Sequence, residues 1–330
     1  MWFFNNYCRS KARLVGKTIV ITGANCGIGK EAARDFYRRG ARVILACRDM
    51  NKAKEAMDDI RKNPSRNNGT GFDGEPGQLE ICQLNLSNLT SVKDCAQHLL
   101  ATESAIHILI NNAGVFLHPF EKTEDGFETH FQVNYLGHFL LTLLLLPTIQ
   151  KSAPTCRIVN VSSVAHKFGD IHFENLNMEN SYSPLKAYSQ SKLANILFTK
   201  ELANKLKESK INGINVYTLH PGVVKTELSR YMDSTVFRGV RMLVRTVSPF
   251  FKTAEQGAQT TIHCAVDESA EEETGLYYDN CQVTRPSGKA SDPALANLLW
   301  KRSLELLDLP SELTLEKLLK SPLQHAECRV

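Results

Sequence analysis

Tyr188 and Lys192 stand four positions apart in Ala187-Tyr188-Ser189-Gln190-Ser191-Lys192-Leu193-Ala194-Asn195, a run of good helix formers. Side chains at i and i+4 share one helical face, so the phenol and the ammonium would point into the same space. A free phenol, with a pKa of about 10, exchanges protons poorly near neutral pH; a neighbouring cation favours the phenolate and lowers that value. A phenol so tuned gives a proton to a carbonyl oxygen or takes one from an alcohol. The pair alone equally fits an ordinary surface helix, so the decision rests on what lies upstream.

Four other groups of residues carry chemistry. Gly23, Asn25, Cys26, Gly27, Ile28 and Gly29 form a glycine-rich turn between an apolar run and a helical stretch, the layout that sets backbone N–H groups and a helix N-terminus against a pyrophosphate. Arg48 follows Cys47 at the tip of the next apolar run, where an acid selects NAD and an arginine accommodates the 2′-phosphate of NADP. NADP is therefore favoured; Asp49, one step on, reads as a helix N-cap but keeps NAD open. Lys30 would add charge to the same pocket. Asn134 sits inside a helical stretch, either as a satisfied core amide or at a kink that holds a relay water. Ser163 closes another apolar run, as a turn residue or as a hydrogen-bond donor to the oxygen that Tyr188 protonates.

These groups must be positioned by alternating strands and helices. Strands are expected at 17–23, 41–46, 79–84, 106–110, 157–163 and 214–220, and helices at 31–39, 52–62, 90–101, 125–146 and around Tyr188. That alternation predicts an α/β fold with a doubly wound parallel sheet, about seven strands with helices on both faces. Asn111-Asn112-Ala113-Gly114 and Pro221-Gly222 would lie at its carboxyl edge, where ligands bind in open α/β folds. The Asn- and Gly-rich stretch 63–78 reads as a surface loop without a function.

The chain has 330 residues, 42% hydrophobic and 22% charged, with a net charge of +4. It reads as soluble and globular, and the charge is too mild to argue for nucleic acid. Nine scattered cysteines include no C-x-x-C pair, so no metal and no disulfide framework are expected. The aromatic start Met1-Trp2-Phe3-Phe4 and the run Phe139 to Pro147 are both too short to span a bilayer, although residues 1–13 suit a membrane surface.

Thr22-Gly23-Ala24-Asn25-Cys26-Gly27-Ile28-Gly29, Asn111-Asn112-Ala113-Gly114, the Ser163 strand end, Tyr188-x-x-x-Lys192 and Pro221-Gly222 together resemble a short-chain dehydrogenase/reductase. Cys47-Arg48-Asp49, Ser162-Ser163-Val164-Ala165-His166 and Ser248-Pro249-Phe250-Phe251-Lys252 are similar to the retinol dehydrogenases of the photoreceptor and prostate type. The resemblance implies a tetrad of Asn134, Ser163, Tyr188 and Lys192: Tyr188 as acid/base, Ser163 polarising the substrate oxygen, Lys192 on the nicotinamide ribose and Asn134 placing a relay water. It implies cofactor contacts from Gly23, Asn25, Cys26, Gly27, Ile28, Gly29, Arg48, Asn85, Leu86, Asn112, Ala113, Gly114, Tyr188, Lys192, Pro221, Gly222, Val224 and Thr226. The chain departs from the family at Asn85, where an aspartate usually holds the adenine amino group; the Asn85 oxygen would accept that bond without the charge. The amino-terminal anchor common in such enzymes is vestigial here.

The expected organisation is a lead over 1–13, one catalytic domain over 14–290 with a substrate lid at about 228–253, and a helical extension over 291–330. Arg238, Arg241 and Arg245 line one stripe of the lid, so stretch 236–252 fits either a cap over the site or a membrane-surface helix. The tail helices 295–307 and 313–319 would pack on the domain or form a homodimer. The resemblance implies the cytoplasmic side of an intracellular membrane such as the endoplasmic reticulum or a lipid droplet, with a soluble cytoplasmic form as the alternative. The expected function is NADPH-preferring interconversion of a lipophilic aldehyde and alcohol, retinal and retinol foremost. The alternatives are a steroid or other lipid carbonyl reductase, and a non-catalytic NADP-binding sensor or membrane scaffold.

Overall fold

The computed structural model describes residues 6–64, 74–224, 251–311 and 313–320. Its first strand β1 (Thr18–Thr22) is buried at every position, as its β-branched run requires of a strand covered on both faces. Helix α1 (Gly27–Arg38) follows at once, then β2 (Arg42–Cys47) and α2 (Met50–Lys62), which Asp49 caps through Asn51 N and Lys52 N. Next come β3 (Gln78–Gln83), α3 (Leu89–Thr102) and β4 (Ile108–Asn111). The long helix α4 (Thr129–Lys151) opens into a wider π-turn over Gln132–Leu136. β5 (Cys156–Val161), α5 (Pro184–Glu208) and β6 (Ile214–His220) complete the part that the sequence outlined.

Beyond it lie α6 (Ala254–Val266), β7 (Leu276–Asp279), the two-residue β8 (Gln282–Val283), α7 (Pro293–Leu306) and α8 (Leu315–Lys320). The strands form one sheet in the order β3-β2-β1-β4-β5-β6-β7-β8. All neighbours are parallel except β7 and β8. The expected doubly wound sheet is present, one strand wider than expected because a short antiparallel edge turns back at Asn280 and Cys281, both at positive φ.

Two apolar layers cover the two faces. One joins α3, α4, α5, α7 and α8 through residues such as Leu99, Phe139, Phe198 and Trp300; the other joins α1, α2 and α6 through Phe36, Ile60 and Ile262. Helix α4 is long and apolar enough to cross a membrane, yet 94% of its apolar window is buried inside the protein, so it is a core helix. The tail helix α7 packs on it: the Trp300 ring stands 5.0 Å from Phe139, and the Ser303 and Tyr135 hydroxyls lie 2.6 Å apart.

Several boundaries move, by up to five residues, and two moves matter. Helix α1 starts at Gly27, so Gly27 and Gly29 belong to its first turn. Strand β5 stops at Val161, so Ser162 and Ser163 lie just past its end. The basic stretch 236–250, most of the expected lid and residues 1–5 lie outside the described residues.

Candidate active site

The chain reverses direction in the sheet at β1 and β4, where loops diverge and leave a crevice at the strand ends. A cleft of about 690 Å³ opens there. It runs from the turn before α1, past Arg48 at the tip of β2, to Tyr188 on α5. All but three of the expected cofactor residues line it; Gly222 and Val224 stand beside it, and Thr226 lies outside the described residues.

The fit of a dinucleotide at the first end rests on the shape of the glycine turn. A Cβ at Gly29 would sit 2.5 Å from Asn112 Nδ2 and 2.7 Å from the Gly23 carbonyl, so only glycine lets α1 come so close to β1 and β4. Helix α1 has no side-chain cap, which leaves its first-turn N–H groups to face the cleft. Arg48 and Lys52 both line the same end. Lys30 does not join them, because its ammonium pairs at 2.9 Å with Asp59 on α2.

Asn85 is also placed otherwise than expected. Its Oδ1 accepts from Ser87 N at 3.2 Å and from Ser87 Oγ at 2.8 Å. Both lone pairs are thereby used, and the remaining amide nitrogen is a donor.

At the other end, the tetrad residues come together from three elements. Helix α5 buries Tyr188 and Lys192 on one face, as the i and i+4 spacing demands. Lys192 Nζ lies 5.7 Å from the centre of the Tyr188 ring and donates to the Val161 carbonyl at 2.9 Å. Ser163, just beyond β5, stands beside the phenol and draws its pKa down. Asn134 is held in the π-turn of α4: its Oδ1 accepts from Val115 N at 2.7 Å, and its Nδ2 donates to the Val115 carbonyl and to Ser191 Oγ. The amide is therefore a satisfied buried group that pins the loop after β4. A π-turn widens the helix by one residue per bond and so exposes main-chain groups that an α-helix would use.

The expected acidification of the phenol by Lys192 is absent. Burial pushes Tyr188 up to about 12, against the opposing pull of Ser163. Burial likewise pushes Lys192 down to about 7. Desolvation outweighs attraction because the ammonium is directed to a main-chain carbonyl and the ring face rather than to the phenol oxygen. Near neutral pH the phenol is firmly protonated, the form needed to give a proton to a carbonyl oxygen.

Residues 17–237 match the short chain dehydrogenase family. The chain belongs to that family. It is similar to human retinol dehydrogenase 12, with 47% identity over 93% of this chain and 92% of the relative, and to mouse retinol dehydrogenase 14, with 48% identity over 86% and 84%. Among solved structures it is similar to an uncharacterised protein from Mycobacterium paratuberculosis, at 34% identity and a TM-score of 0.71, covering 92% of this chain and 97% of that one. A short chain dehydrogenase from Shigella flexneri complexed with NADP shares the fold at a TM-score of 0.61 and 23% identity, covering 83% of this chain and all of the other. This short-chain dehydrogenase is thus an oxidoreductase.

In this short-chain dehydrogenase the site is held by imidazoles that sequence reasoning passed over. His138 Nδ1 lies 3.1 Å from the Asn134 main-chain carbonyl, which can only accept, so Nδ1 carries the proton. Its Nε2 then accepts from the Thr22 hydroxyl at 2.8 Å. Burial holds His138 down to about 3, in its neutral form. The Thr22 oxygen in turn accepts from Asn112 N and Ala113 N, both at 2.9 Å. One imidazole therefore ties the π-turn to the edge of the nucleotide cleft.

His166 repeats the pattern: its Nδ1 donates to the Ser163 carbonyl at 2.7 Å, and its Nε2 accepts from Ser287 N at 3.1 Å. His130 donates to Glu128 Oε1 at 2.7 Å and accepts from His118 N at 3.0 Å, fixing the loop whose Phe116 ring stands edge-on to Tyr188. No short motif marks such residues, since each acts across a fold contact. The one available signal was a histidine at i+4 from Asn134, a spacing that shares a helical face.

Proposed function

We propose that this short-chain dehydrogenase is an NADPH-preferring enzyme that interconverts a lipophilic aldehyde and its alcohol, with retinal and retinol as the leading pair. The observation that carries the reading is that Tyr188 and Lys192 line the cleft that begins at the glycine turn, with Ser163 beside the phenol. The names of the relatives support retinoids as substrate. Arg48 and Lys52 at the ribose end support a 2′-phosphate.

When bound, the reduced nicotinamide supplies the hydride. The first-turn N–H groups of α1 would hold the pyrophosphate, and Lys192 would hold the nicotinamide ribose. Ser163 donates a hydrogen bond to the substrate oxygen, and Tyr188 delivers its phenolic proton there. The π-turn carbonyl of Asn134 holds the water through which that proton is replaced, with His138 fixing the carbonyl. Residues 14–290 act as the catalytic unit, 228–253 as its lid, and the basic stretch 236–252 as its contact with a membrane that carries the substrate.

Turnover of all-trans-retinal by the purified chain, with NADPH and then NADH, tests both parts. NADPH is expected to be at least tenfold more efficient, and Arg48→Ala to bring that ratio down to about one while sparing kcat with NADH. Better turnover of small water-soluble ketones, or of steroid ketones, would reject the retinoid assignment. A Tyr188→Phe chain with full biological activity would reject catalysis itself and favour a nucleotide-binding sensor.

A further inference from the structure

Far from the cleft, the amino-terminal lead crosses the carboxyl end of α6 and places a thiol, an imidazole and a carboxylate together. His263 Nδ1 lies 3.1 Å from Asp267 Oδ2, and Cys8 Sγ lies 3.7 Å from the same oxygen. The three donor atoms are all within 4.8 Å of one another. The local folding explains why they converge. His263 and Asp267 are one helical turn apart on the same face. Asp267 Oδ1 is committed to Ser269 N and Oγ, which leaves Oδ2 as the oxygen turned toward the cluster. Cys8 is set in place by its own N–H, which donates to Gln259 Oε1 on the same helix.

Two hydrogen bonds to one carboxylate would account for the imidazole but poorly for the thiol, which is a weak donor. A tetrahedral zinc ion with bonds of about 2.0–2.3 Å keeps its ligand atoms roughly 3.3–3.5 Å apart, between the two separations measured here. The charges also close: thiolate and carboxylate together offset a divalent ion, in a place where Cys8 and Asp267 are half-buried and His263 is buried.

We propose that Cys8, His263 and Asp267 form a zinc site, with water in the fourth position. The mixed sulfur, nitrogen and oxygen set suits zinc and not magnesium or calcium, which take oxygen. On binding, the Cys8 thiol releases its proton to solvent and the imidazole proton moves from Nδ1 to Nε2; nothing is oxidised or reduced. The ion staples the lead to α6. From there Asn6 bonds Asn280, which also accepts from Lys252, and the Lys252 stem packs on Gly222 beside the cleft. No spacing motif announces such a site, because its ligands come from opposite ends of the chain.

The full-length chain, purified without chelator and dialysed, is expected to hold about one zinc per molecule by mass spectrometry of the metal. Replacement with Co²⁺ should give the near-ultraviolet band of a thiolate bound to cobalt, and Cys8→Ser should lose that band and the bound zinc while keeping its retinal turnover. Chelator should lower the Tm of the native chain and leave that of Cys8→Ser unchanged. Absence of zinc together with no thiolate band from added Co²⁺ would overturn the proposal, and so would a band that persists in Cys8→Ser. Because turnover is read separately, failure here leaves the catalytic assignment standing.

Discussion

At the glycine-turn end of the cleft, main-chain N–H groups and the exposed cations Arg48 and Lys52 face solvent. At the Tyr188 end, the polar groups are buried side chains with assigned partners: Asn134 to Val115 and Ser191, Lys192 to Val161, His138 to Asn134 and Thr22. Under the proposed function the first end binds the nucleotide by shape and charge, so it tolerates water. The second must hold a protonated phenol in one orientation, and there an unpartnered group costs about 1–3 kcal/mol. Binding and chemistry are therefore separable in this molecule, and variants should divide along that line.

The sharpest division is expected between Tyr188→Phe and Gly29→Ala. Removing the phenol should lower kcat by about 10²–10⁴-fold with little change in nucleotide Kd, the loss typical of a positioned general acid. The added methyl at Gly29 should do the reverse. It would meet Asn112 and the Gly23 carbonyl, and overpacking of about 1–3 kcal/mol weakens nucleotide binding roughly 10–100-fold. Single-turnover rates with saturating nucleotide, next to fluorescence titration of the nucleotide, measure the two separately. Equal effects on both quantities in both variants would show that the ends are one cooperative unit.

Acid should attack the second end first. His138 is held down to about 3 and His220 to about 4, mainly by burial, while both ionise near 6.5 when unfolded. Between those values the unfolded chain binds protons that the native chain refuses, so stability falls as pH drops from 6.5 toward 4, by up to about 1.4 kcal/mol per pH unit for each group. The carboxylates held low, Asp59, Asp170 and Asp267, lose their contribution only below about 3.9. Chemical denaturation at pH 6.5 and 4.5 should therefore show a loss that shrinks in His138→Phe, whose own deficit at pH 7 comes from losing the hydrogen bonds of the imidazole to the Thr22 hydroxyl and the Asn134 carbonyl. A flat profile over that window would remove the histidines from the account.

What the sequence made legible follows the same division. The glycine turn, Arg48 and the Tyr188/Lys192 pair are local patterns, readable because a turn or one helical face determines their use. The strand alternation up to β6 was equally plain, since buried β-branched runs such as Thr18–Thr22 repeat at regular intervals. Short edge strands at β7 and β8 carry too few residues to show a period. The salt bridge that draws Lys30 to Asp59, the direction of the pKa shift at Tyr188, and the far partners of His138 and His166, Thr22 and Ser287, all depend on groups remote in sequence. Packing of distant segments decided each of them, and that packing is a property of the fold.

Asn85 offers the smallest and finest test, because it joins the two ends in one residue: a cleft position whose side chain is already committed. The reading from sequence had its oxygen accept from the adenine amino group. In the structure that oxygen takes both donors of Ser87, and the other atom is an NH₂ that cannot accept. Asn85→Asp replaces this donor by a second oxygen while keeping the Ser87 turn. Hydrogen bonds to a charged group exceed neutral ones by about 1 kcal/mol, so adenine nucleotides should bind roughly fivefold more tightly. A nicotinamide mononucleotide, which lacks the adenine, should show no gain. Tighter binding of both would place the new charge elsewhere than on adenine, and no change in either would mean that Asn85 serves only to shape the turn after β3.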